Sequence, residues 1–531
     1  MNKFTFFLLS VFALISVYRL LPSGIHTFSD EMHIFRAYDY HQCLKDGQLP
    51  CRYTLTSGFG YGSPTPNFYP PLTYLTSSLF QALTISAADS LKLIIILSTF
   101  LKILGAYLLV FLISKSSSIS ILASTAYLFA PYAAVNIFVR GAFAENLALS
   151  LLPLTLYFLV KFIRSPSRFV FLVTVLFTQL FLLSHHLTVI STLPIFLLFL
   201  IYNRKYLFNN LRWFLFYLIF SVLLSAWFYL PLIFETSQIN LTALTGGYFD
   251  FNNHFISLYQ LFIRTFWGYG ASLWGPDDGL SFSVGYLHWL LPLLLLVYFL
   301  LRRRLPRLFL GFFGLGIFFL FLTHQRSLFI WQLFPALAIF QFPWRFLGPT
   351  VFLFSLTLSF LKLKPIYGYL IALLFIAFNL SFFRPDLWRQ ATNSNLLNPT
   401  NLPSLSGQAV GDYWYKMAGP LPTSSAPTSP NLPASVKLTH FTKSTSKYLF
   451  SYSSPNSFYT SLPLALAPEL YYRLDSSRLP PLTSTTINLP SGTHTFTILV
   501  GKTRLQYLSE FISLSSLVVM LLFLLPHDRK K

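Results

Sequence analysis

Charge is scarce in this sequence. Of 531 residues only 10% are Asp, Glu, Lys or Arg, while 54% are hydrophobic and the mean hydropathy is +0.60. So little charge cannot clothe a soluble surface, and many apolar runs are long enough to cross a bilayer, so the chain reads as a polytopic membrane protein. Acids are scarcer still, 16 against 37 Lys and Arg, for a formal net charge of +21. The bases fall in short clusters between apolar runs and not along one polar face, which excludes a nucleic-acid partner and fits basic cytoplasmic loops. Two cysteines, Cys43 and Cys51, are too few for a disulfide scaffold or a Cys-based zinc site. They either close a short disulfide loop or stay as two thiols. There is no Gly-rich phosphate loop ending in Lys-Ser/Thr, no Asp-x-Asp and no Cys pair at metal spacing, which argues against a soluble cytosolic nucleotide donor. No internal repeat suggests a transporter built from two related halves.

What is present is a succession of apolar runs: residues 4–21, 91–113, 119–139, 144–162, 169–183, 187–202, 213–232, 284–301, 308–322, 346–361, 366–383 and 511–525. They predict about 12 spans. The first lacks a small-residue cleavage site before Pro22 and reads as a retained helix, not a signal peptide. If the spans alternate, Lys3, Lys115, Lys161, Arg204, Arg302, Lys362 and Arg529–Lys531 share one side, the cytoplasm. Every Asp and Glu except Asp528 then lies on or near the other side. Both termini are expected to be cytoplasmic, with outer loops at 22–90 and 233–283. The expected domains are a membrane domain over 1–383, an outer β-rich domain over 384–508, and a last helix with a basic tail over 509–531. In the β region, residues 485–489 and 493–500 alternate as strands do around Pro490-Ser491-Gly492 and predict a hairpin within a sandwich. Residues 393–433 read as looser. Lys102 falls inside a span, where it needs a partner or water.

The outer segments hold the polar groups suited to chemistry. In Ser29-Asp30-Glu31-Met32-His33-Ile34-Phe35-Arg36, helical spacing would stack Asp30 and His33 on one stripe with Arg36 at its edge. A partly desolvated carboxylate beside His or Arg suits a general base, and an interfacial helix with its charges in headgroups fits the same residues. Glu31 points elsewhere, as a metal ligand, a second base or a solvated acid. Gly58-Phe59-Gly60-Tyr61-Gly62 and Asn67-Phe68-Tyr69-Pro70-Pro71 offer Tyr61 and Tyr69 either as stacking platforms for sugars or as an aromatic belt. Arg140 and Glu145 cannot face one another on a continuous helix, so Gly141 predicts a break. Arg140 reads as a phosphate contact or as a snorkelling base. His185-His186 forms another outer turn, with zinc as a weak reading because a third ligand is missing. In Gln341-Phe342-Pro343-Trp344-Arg345, Arg345 either meets a lipid phosphate or anchors the interface. His254, Asp277 and Asp278 lie in the later outer loop, where Asp277-Asp278-Gly279 reads as a turn.

Taken in order, Asp30-x-x-His33-x-x-Arg36, Gly60-Tyr61-Gly62 through Phe68-Tyr69-Pro70-Pro71-Leu72, Arg140-Gly141-Ala142-Phe143-Ala144-Glu145 and Gln341-Phe342-Pro343-Trp344-Arg345 resemble the type C membrane glycosyltransferases (GT-C). In particular they resemble the YfhO-like and 6-pyruvoyl-tetrahydropterin synthase-related bacterial membrane proteins. The resemblance implies an α-helical membrane enzyme in the plasma or inner membrane. It would use a polyprenyl-phosphate-linked sugar and a glycan, lipid or protein acceptor outside the cytoplasm. Carried over by position, Asp30 is the base with Glu31 beside it, and Arg140, Arg345 and Arg36 meet the leaving phosphate. His33 and Glu145 orient these groups, and Tyr61, Tyr69 and His185 join the substrate-binding set. No cofactor is implied, and a divalent metal ion stays open. Related chains often carry a Tyr-Tyr-Pro-Gly-Trp-type motif in the β domain, where this chain reads Glu469-Leu470-Tyr471-Tyr472-Arg473. The competing readings are a lipid-linked sugar transporter and a non-catalytic envelope assembly protein.

Overall fold

A computed structural model of the protein describes residues 1–264, 266–275, 278–389, 397–398, 402–408 and 410–524. Asp277, the basic tail at 529–531 and parts of the stretch 393–433 lie outside the described residues. Among the described residues, six helices are long and apolar enough to cross a membrane: Lys3–Leu20, Ala87–Ser114, Phe143–Arg164, Leu211–Gln238, Pro365–Phe382 and Arg504–Phe523. Two more candidates are bent pairs, Ser117–Leu128 with Pro131–Arg140 (50°) and Arg307–Leu322 with Gln325–Leu333 (95°). Three apolar helices are shorter: Arg168–Leu182, His186–Tyr202 and Tyr286–Leu301. Hydropathy alone does not separate a span from a core helix. The run at 346–361 shows this, since it folds as an 11-residue helix, Leu347–Thr357, with every residue buried.

The chain forms two compact units, each assembled from separated stretches. The first comprises Met1–Asp30, Leu91–Ser221 and Thr245–Gln390. Its centre is Ser117–Leu128, buried at all positions from Ser118 on, and Phe143–Arg164, most of which is buried. A short antiparallel pair, β1 (Ile25–His26) with β2 (Trp388–Arg389), joins the ends of this unit. Lys92 donates to the carbonyls of Pro22 and Gly24 and lies over the Trp388 ring, fixing the strand pair to a helix. His26 Nε2 donates to Ile137 O at 3.1 Å, and burial pushes the pKa of the ring down to about 4.

The second unit comprises Glu31–Ser90, Val222–Leu244 and Ala391–Lys531. Helix Met32–Lys45 is followed by a disulfide between Cys43 and Cys51, the pairing that the sequence leaves open. Seven strands follow: β3 (Lys437–Lys443), β4 (Lys447–Ser454), β5 (Phe458–Ser461), β6 (Leu470–Leu474), β7 (Ser477–Arg478), β8 (Thr486–Leu489) and β9 (Gly492–Val500). They make an antiparallel five-stranded sheet, β3-β4-β9-β6-β7, and a two-stranded one, β5-β8. Phe450, Tyr452, Phe496 and Ile498 from the first share one core with Phe458, Ile487 and Leu489 from the second. Tyr53, Leu55 and Phe68, hundreds of residues earlier, belong to the same core.

The expected hairpin between 485–489 and 493–500 does not form. β8 pairs with β5, and β9 pairs with β4 and β6, so Pro490-Ser491 carries the chain from one sheet to the other. Alternation identifies both strands correctly but says nothing about which neighbour each will pair with. Ile487 and Leu489 bury inward opposite Phe496 and Ile498, so the two strands meet through side chains across the core. Tyr452 ties the crossing to β4 by donating to Pro490 O at 3.1 Å.

Beneath the sheets lies a buried polar network. Arg52, fully buried, donates to Asn67 Oδ1, Trp227 O and Glu510 Oε1. Lys502 pairs with the other oxygen of Glu510. Glu235 accepts from Asn67, Thr503 and Gln506. Gln506 also donates to Glu469 Oε1 at 3.0 Å, and Tyr415 donates to the same oxygen at 2.7 Å. Glu469 Oε2 is buried without a hydrogen-bond partner. Burial, reinforced by the nearby Glu235 charge, lifts its pKa from the usual 4.5 to about 7.

An acid that holds its proton more tightly folded than unfolded costs the fold nothing at low pH. The cost appears as pH rises through the window from about 4.5 to about 7. Glu469→Gln keeps the acceptor for Tyr415 and Gln506 and removes the ionisation. We expect it to leave melting of the solubilised protein unchanged at pH 4.5 and to raise stability at pH 8 by about 2–3 kcal/mol. Equal melting temperatures for the two proteins at pH 8 would show that Glu469 ionises without cost.

Candidate functional site

The site is built around one helix break in the first unit. Residues Val135–Arg140 wind as a π-helix, which ends at Gly141 with φ +68. A Cβ at Gly141 would overlap the Phe28 ring, so both conformation and space require glycine there. Helix Phe143–Arg164 then starts afresh, and the reversal brings Arg140 against Glu145. Arg140 Nη1 lies 2.9 Å from Glu145 Oε2, with Asn136 Oδ1 accepting from the same nitrogen at 2.6 Å. Glu145 Oε1 accepts from Tyr132 Oη at 2.5 Å and Asn136 Nδ2 at 3.3 Å. Arg345 Nε stands 3.7 Å from Glu145 Oε2, so two guanidinium groups converge on one carboxylate. A buried ion pair of this kind is held by the hydrogen bonds that satisfy its remaining lone pairs.

Both arginines are also fixed from behind. The Arg140 guanidinium lies 4.4 Å over the Trp344 ring, and Trp344 is sandwiched between Phe342 and Phe282 at 4.6 and 5.1 Å. Trp344 Nε1 donates to Ser272 Oγ, which stands 3.1 Å from His254 Nδ1, and His254 Nε2 meets Tyr248 O. Ser272 therefore donates to Nδ1 while the ring proton sits on Nε2, a neutral form that burial favours by lowering the pKa of His254. Arg345 donates to Phe340 O at 2.9 Å and Gln341 Oε1 at 3.1 Å. That geometry depends on Gln341, at φ +62 and ψ −47, where Phe342 N donates to Phe340 O in a tight three-residue turn. Such turns are rare and strained, and strain of this kind concentrates at functional sites.

His185 caps helix His186–Tyr202: Thr188 N donates to its Nδ1, which leaves the ring proton on Nε2. Glu145, His185 and Arg345 line a small cavity with Thr188, Ser191 and Phe340, with about 10 Å³ of room, the scale of one water. Lys102, inside its helix, donates to Asn146 Oδ1 at 3.1 Å, and Asn146 donates to Ser98. Asn146 follows Glu145 in sequence, so the buried ammonium extends the same polar seam.

Asp30 belongs to this unit and is half-buried. Its backbone N–H donates to Arg140 O at 3.1 Å, and its carboxylate is within electrostatic range of the Arg140 guanidinium. The helix that follows begins only at Met32, so Asp30 and His33 do not share a helical stripe as the spacing alone suggests. The reason is long-range, because Ser29 and Asp30 donate their N–H groups to the Val139 and Arg140 carbonyls.

The remaining sequence candidates lie in the second unit. His33 Nδ1 is 2.7 Å from Tyr74 Oη, and Arg36 pairs with Asp412 at 3.4 Å while lying 5.2 Å over the Tyr69 ring. Tyr69 packs against His33 and Tyr74. Tyr61 is half-buried, with its carbonyl accepting from Ala465 N. Glu31 precedes the helix without capping it through its side chain. Among the described residues no group of three or more His, Cys, Asp or Glu stands where it could hold a metal ion. Glu145 in particular has its oxygens occupied by protein donors, so the donor set does not fit a metal centre. Tyr132 and Asn136 escaped the sequence reading because they sit in an apolar run. The four-residue spacing of Asn136 and Arg140 was the available signal.

Fold and site together define a helical polytopic membrane protein with a C-terminal β-rich region. The chain belongs to the family of membrane proteins described as 6-pyruvoyl-tetrahydropterin synthase related, whose model matches residues 66–390. Among solved structures it is similar to the arabinofuranosyltransferase AftD from Mycobacteria, at 14% identity and a TM-score of 0.41, over 74% of this chain and 28% of that one. It thus spans less than a third of that protein's length. Comparison with curated proteins found no match.

Removing the shared acid leaves two guanidinium groups facing one another. We expect Glu145→Gln to destabilise the protein by about 3–5 kcal/mol, seen as loss of the monodisperse peak in detergent. Arg345→Lys, whose bonds to Phe340 O and Gln341 an ammonium can remake, should cost far less. Equal losses from the two variants would mean that Glu145 is not the anchor of the cluster.

Proposed function

We propose that the chain is a membrane glycosyltransferase of the GT-C type. It moves a sugar from a polyprenyl-phosphate-linked donor to a hydroxyl of a cell-envelope glycan, lipid or protein. The observation that carries this reading is the convergence of Arg140 and Arg345 on Glu145, with Asp30 in electrostatic range of Arg140. Guanidinium groups in rigid settings suit a phosphate whose charge grows as it leaves, and a half-buried carboxylate beside them suits proton transfer.

In the proposed reaction Asp30 takes the proton of the acceptor hydroxyl. The oxygen then attacks the anomeric carbon, the bond from that carbon to the phosphate oxygen breaks, and its electron pair leaves with the lipid phosphate, inverting the centre. Arg140 and Arg345 stabilise that leaving charge, and His185 offers its Nε2 proton to it. Glu145 holds the arginines and takes no proton. Tyr61 and Tyr69 are the proposed stacking surfaces for sugar rings, with His33 and Arg36 bracing Tyr69, and Glu31 is a second acid beside Asp30. No step in this scheme uses a metal.

The reaction is proposed for the outer side of the plasma or inner membrane, with both termini in the cytoplasm. The membrane domain would extend over 1–383, the outer β-rich domain over 384–508 and the last helix from 509. The Cys43–Cys51 disulfide supports an oxidising surrounding for the first loop. A second reading, transport of the lipid-linked sugar, draws on the buried seam of Lys102, Asn146 and Ser98.

The test is turnover of a panel of radiolabelled polyprenyl-phosphate sugars by the purified protein in nanodiscs, measured as released polyprenyl phosphate. Asp30→Asn is expected to lower turnover by about 100-fold or more with an unchanged melting temperature. Wild-type turnover in that variant would remove Asp30 as the base. Donor that crosses the bilayer intact would favour transport.

A further inference from the structure

The second unit holds a cleft that the transfer reaction does not use. With about 310 Å³ of room, it opens between strands β6 and β7 and the segments on either side of them. Its walls are mainly apolar, Pro468, Leu479 and Leu482 among them, and Met417 stands half-exposed at the edge. Of the three polar side chains that line it, Tyr472 is buried, and the Tyr471 hydroxyl is already committed, donating to Lys502 O at 2.7 Å. The third is Arg478, on the exposed two-residue edge strand β7, with its guanidinium 4.5 Å over the Tyr471 ring. Among the described residues no carboxylate pairs with it.

These features limit the ligand. A sugar needs several fixed donors and acceptors around its hydroxyls, and this lining does not present them. An apolar cleft with one cation at its rim fits an amphiphile with a negative head. The surroundings say which kind. Gly501 N donates to Glu469 O at 2.7 Å, and the hydroxyl bond from Tyr471 reaches the next residue, Lys502. The last helix, Arg504–Leu524, starts two residues later. Its first turns expose Tyr507, Leu508 and Phe511 by 59, 54 and 68%, an apolar surface that requires lipid around it. The cleft therefore sits at the level where a lipid-facing helix begins, within reach of headgroups and the upper part of acyl chains.

We infer that this cleft takes one acyl chain of an anionic membrane phospholipid, with the lipid phosphate against Arg478. Binding here is separate from sugar transfer, so it stands or falls without reference to Asp30.

The full-length protein would be placed in phosphatidylcholine nanodiscs doped with a diazirine-bearing phosphatidic acid, or with phosphatidylcholine carrying the same chain. Label is then mapped by mass spectrometry. The expected label lies within residues 467–482, about tenfold stronger from phosphatidic acid. Arg478→Glu should bring it down to the phosphatidylcholine level, Arg478→Lys should retain it, and Leu482→Trp, which fills the cleft, should remove label from both lipids. Unchanged melting temperatures for the Arg478 variants exclude misfolding as the cause. Label elsewhere, equal label from both lipids, or full competition by glycerol 3-phosphate would overturn the inference, the last by showing a site for a free anion.

Discussion

The structure of the first unit depends on the Glu145 carboxylate. Arg140 is 7% exposed and Glu145 3%, and neither could be buried in an apolar helical setting alone. The chain meets that demand by widening a helix into a π-turn, breaking it at Gly141 and restarting it at Phe143. Tyr132, Asn136 and Arg140 then reach the same carboxylate from one side while Arg345 approaches from another. The bend in the Ser117–Arg140 pair lies earlier, between Leu128 and Pro131, where Ala130 is extended ahead of a proline. Remote segments are recruited to the same end. The Phe282–Trp344–Phe342 stack supports the guanidinium face, and the strained turn at Gln341 aims Arg345.

The second unit answers a similar demand with a different layout. Arg52 and Lys502 are matched against Glu510, while Glu235 and Glu469 share Gln506 as a common donor. With three acids and two bases in one buried network, the least costly arrangement leaves one acid protonated. Glu469 is the acid that keeps its proton to higher pH, up to about 7, because it is buried and, among the described residues, one of its oxygens has no donor. The network also explains why residues from 52–67, 227–235 and 502–510 belong to one compact unit. Arg52 and Glu235 are each satisfied partly by groups from the other segments.

Much of this was legible where the signal was local. Arg140 and Glu145 five residues apart, with a glycine between them, could be read as a broken helix because no continuous helix lets them meet. The strands at 486–489 and 492–500 were legible from alternation, yet their pairing was not, since partners are chosen by which faces bury together. The stripe of Asp30 and His33 failed for a related reason. Helical spacing was correct for residues 32 onward, but backbone bonds to Val139 and Arg140, more than a hundred residues away, hold Ser29 and Asp30 outside the helix. Apolar runs alone do not separate a lipid-facing span from a helix such as Leu347–Thr357, which is buried at every position. Polar residues inside such runs, Tyr132 and Asn136, were concealed by their neighbours.

Asp30 and Glu145 stand in one electrostatic cluster, and the proposed reaction gives them opposite work. Glu145 is almost fully enclosed, and both of its oxygens accept from side chains that the fold has already positioned. Protonating it would release two guanidinium groups at once, so a proton cycle at Glu145 would dismantle the site that it supports. Asp30 is half-buried, lies in a turn and not in a helix, and feels Arg140 without the enclosure that fixes Glu145. A base must gain and lose a proton in each turnover while the groups around it stay in place. Of the two acids Asp30 is the one that suits the proposed role of base, while Glu145 holds the arginines in place.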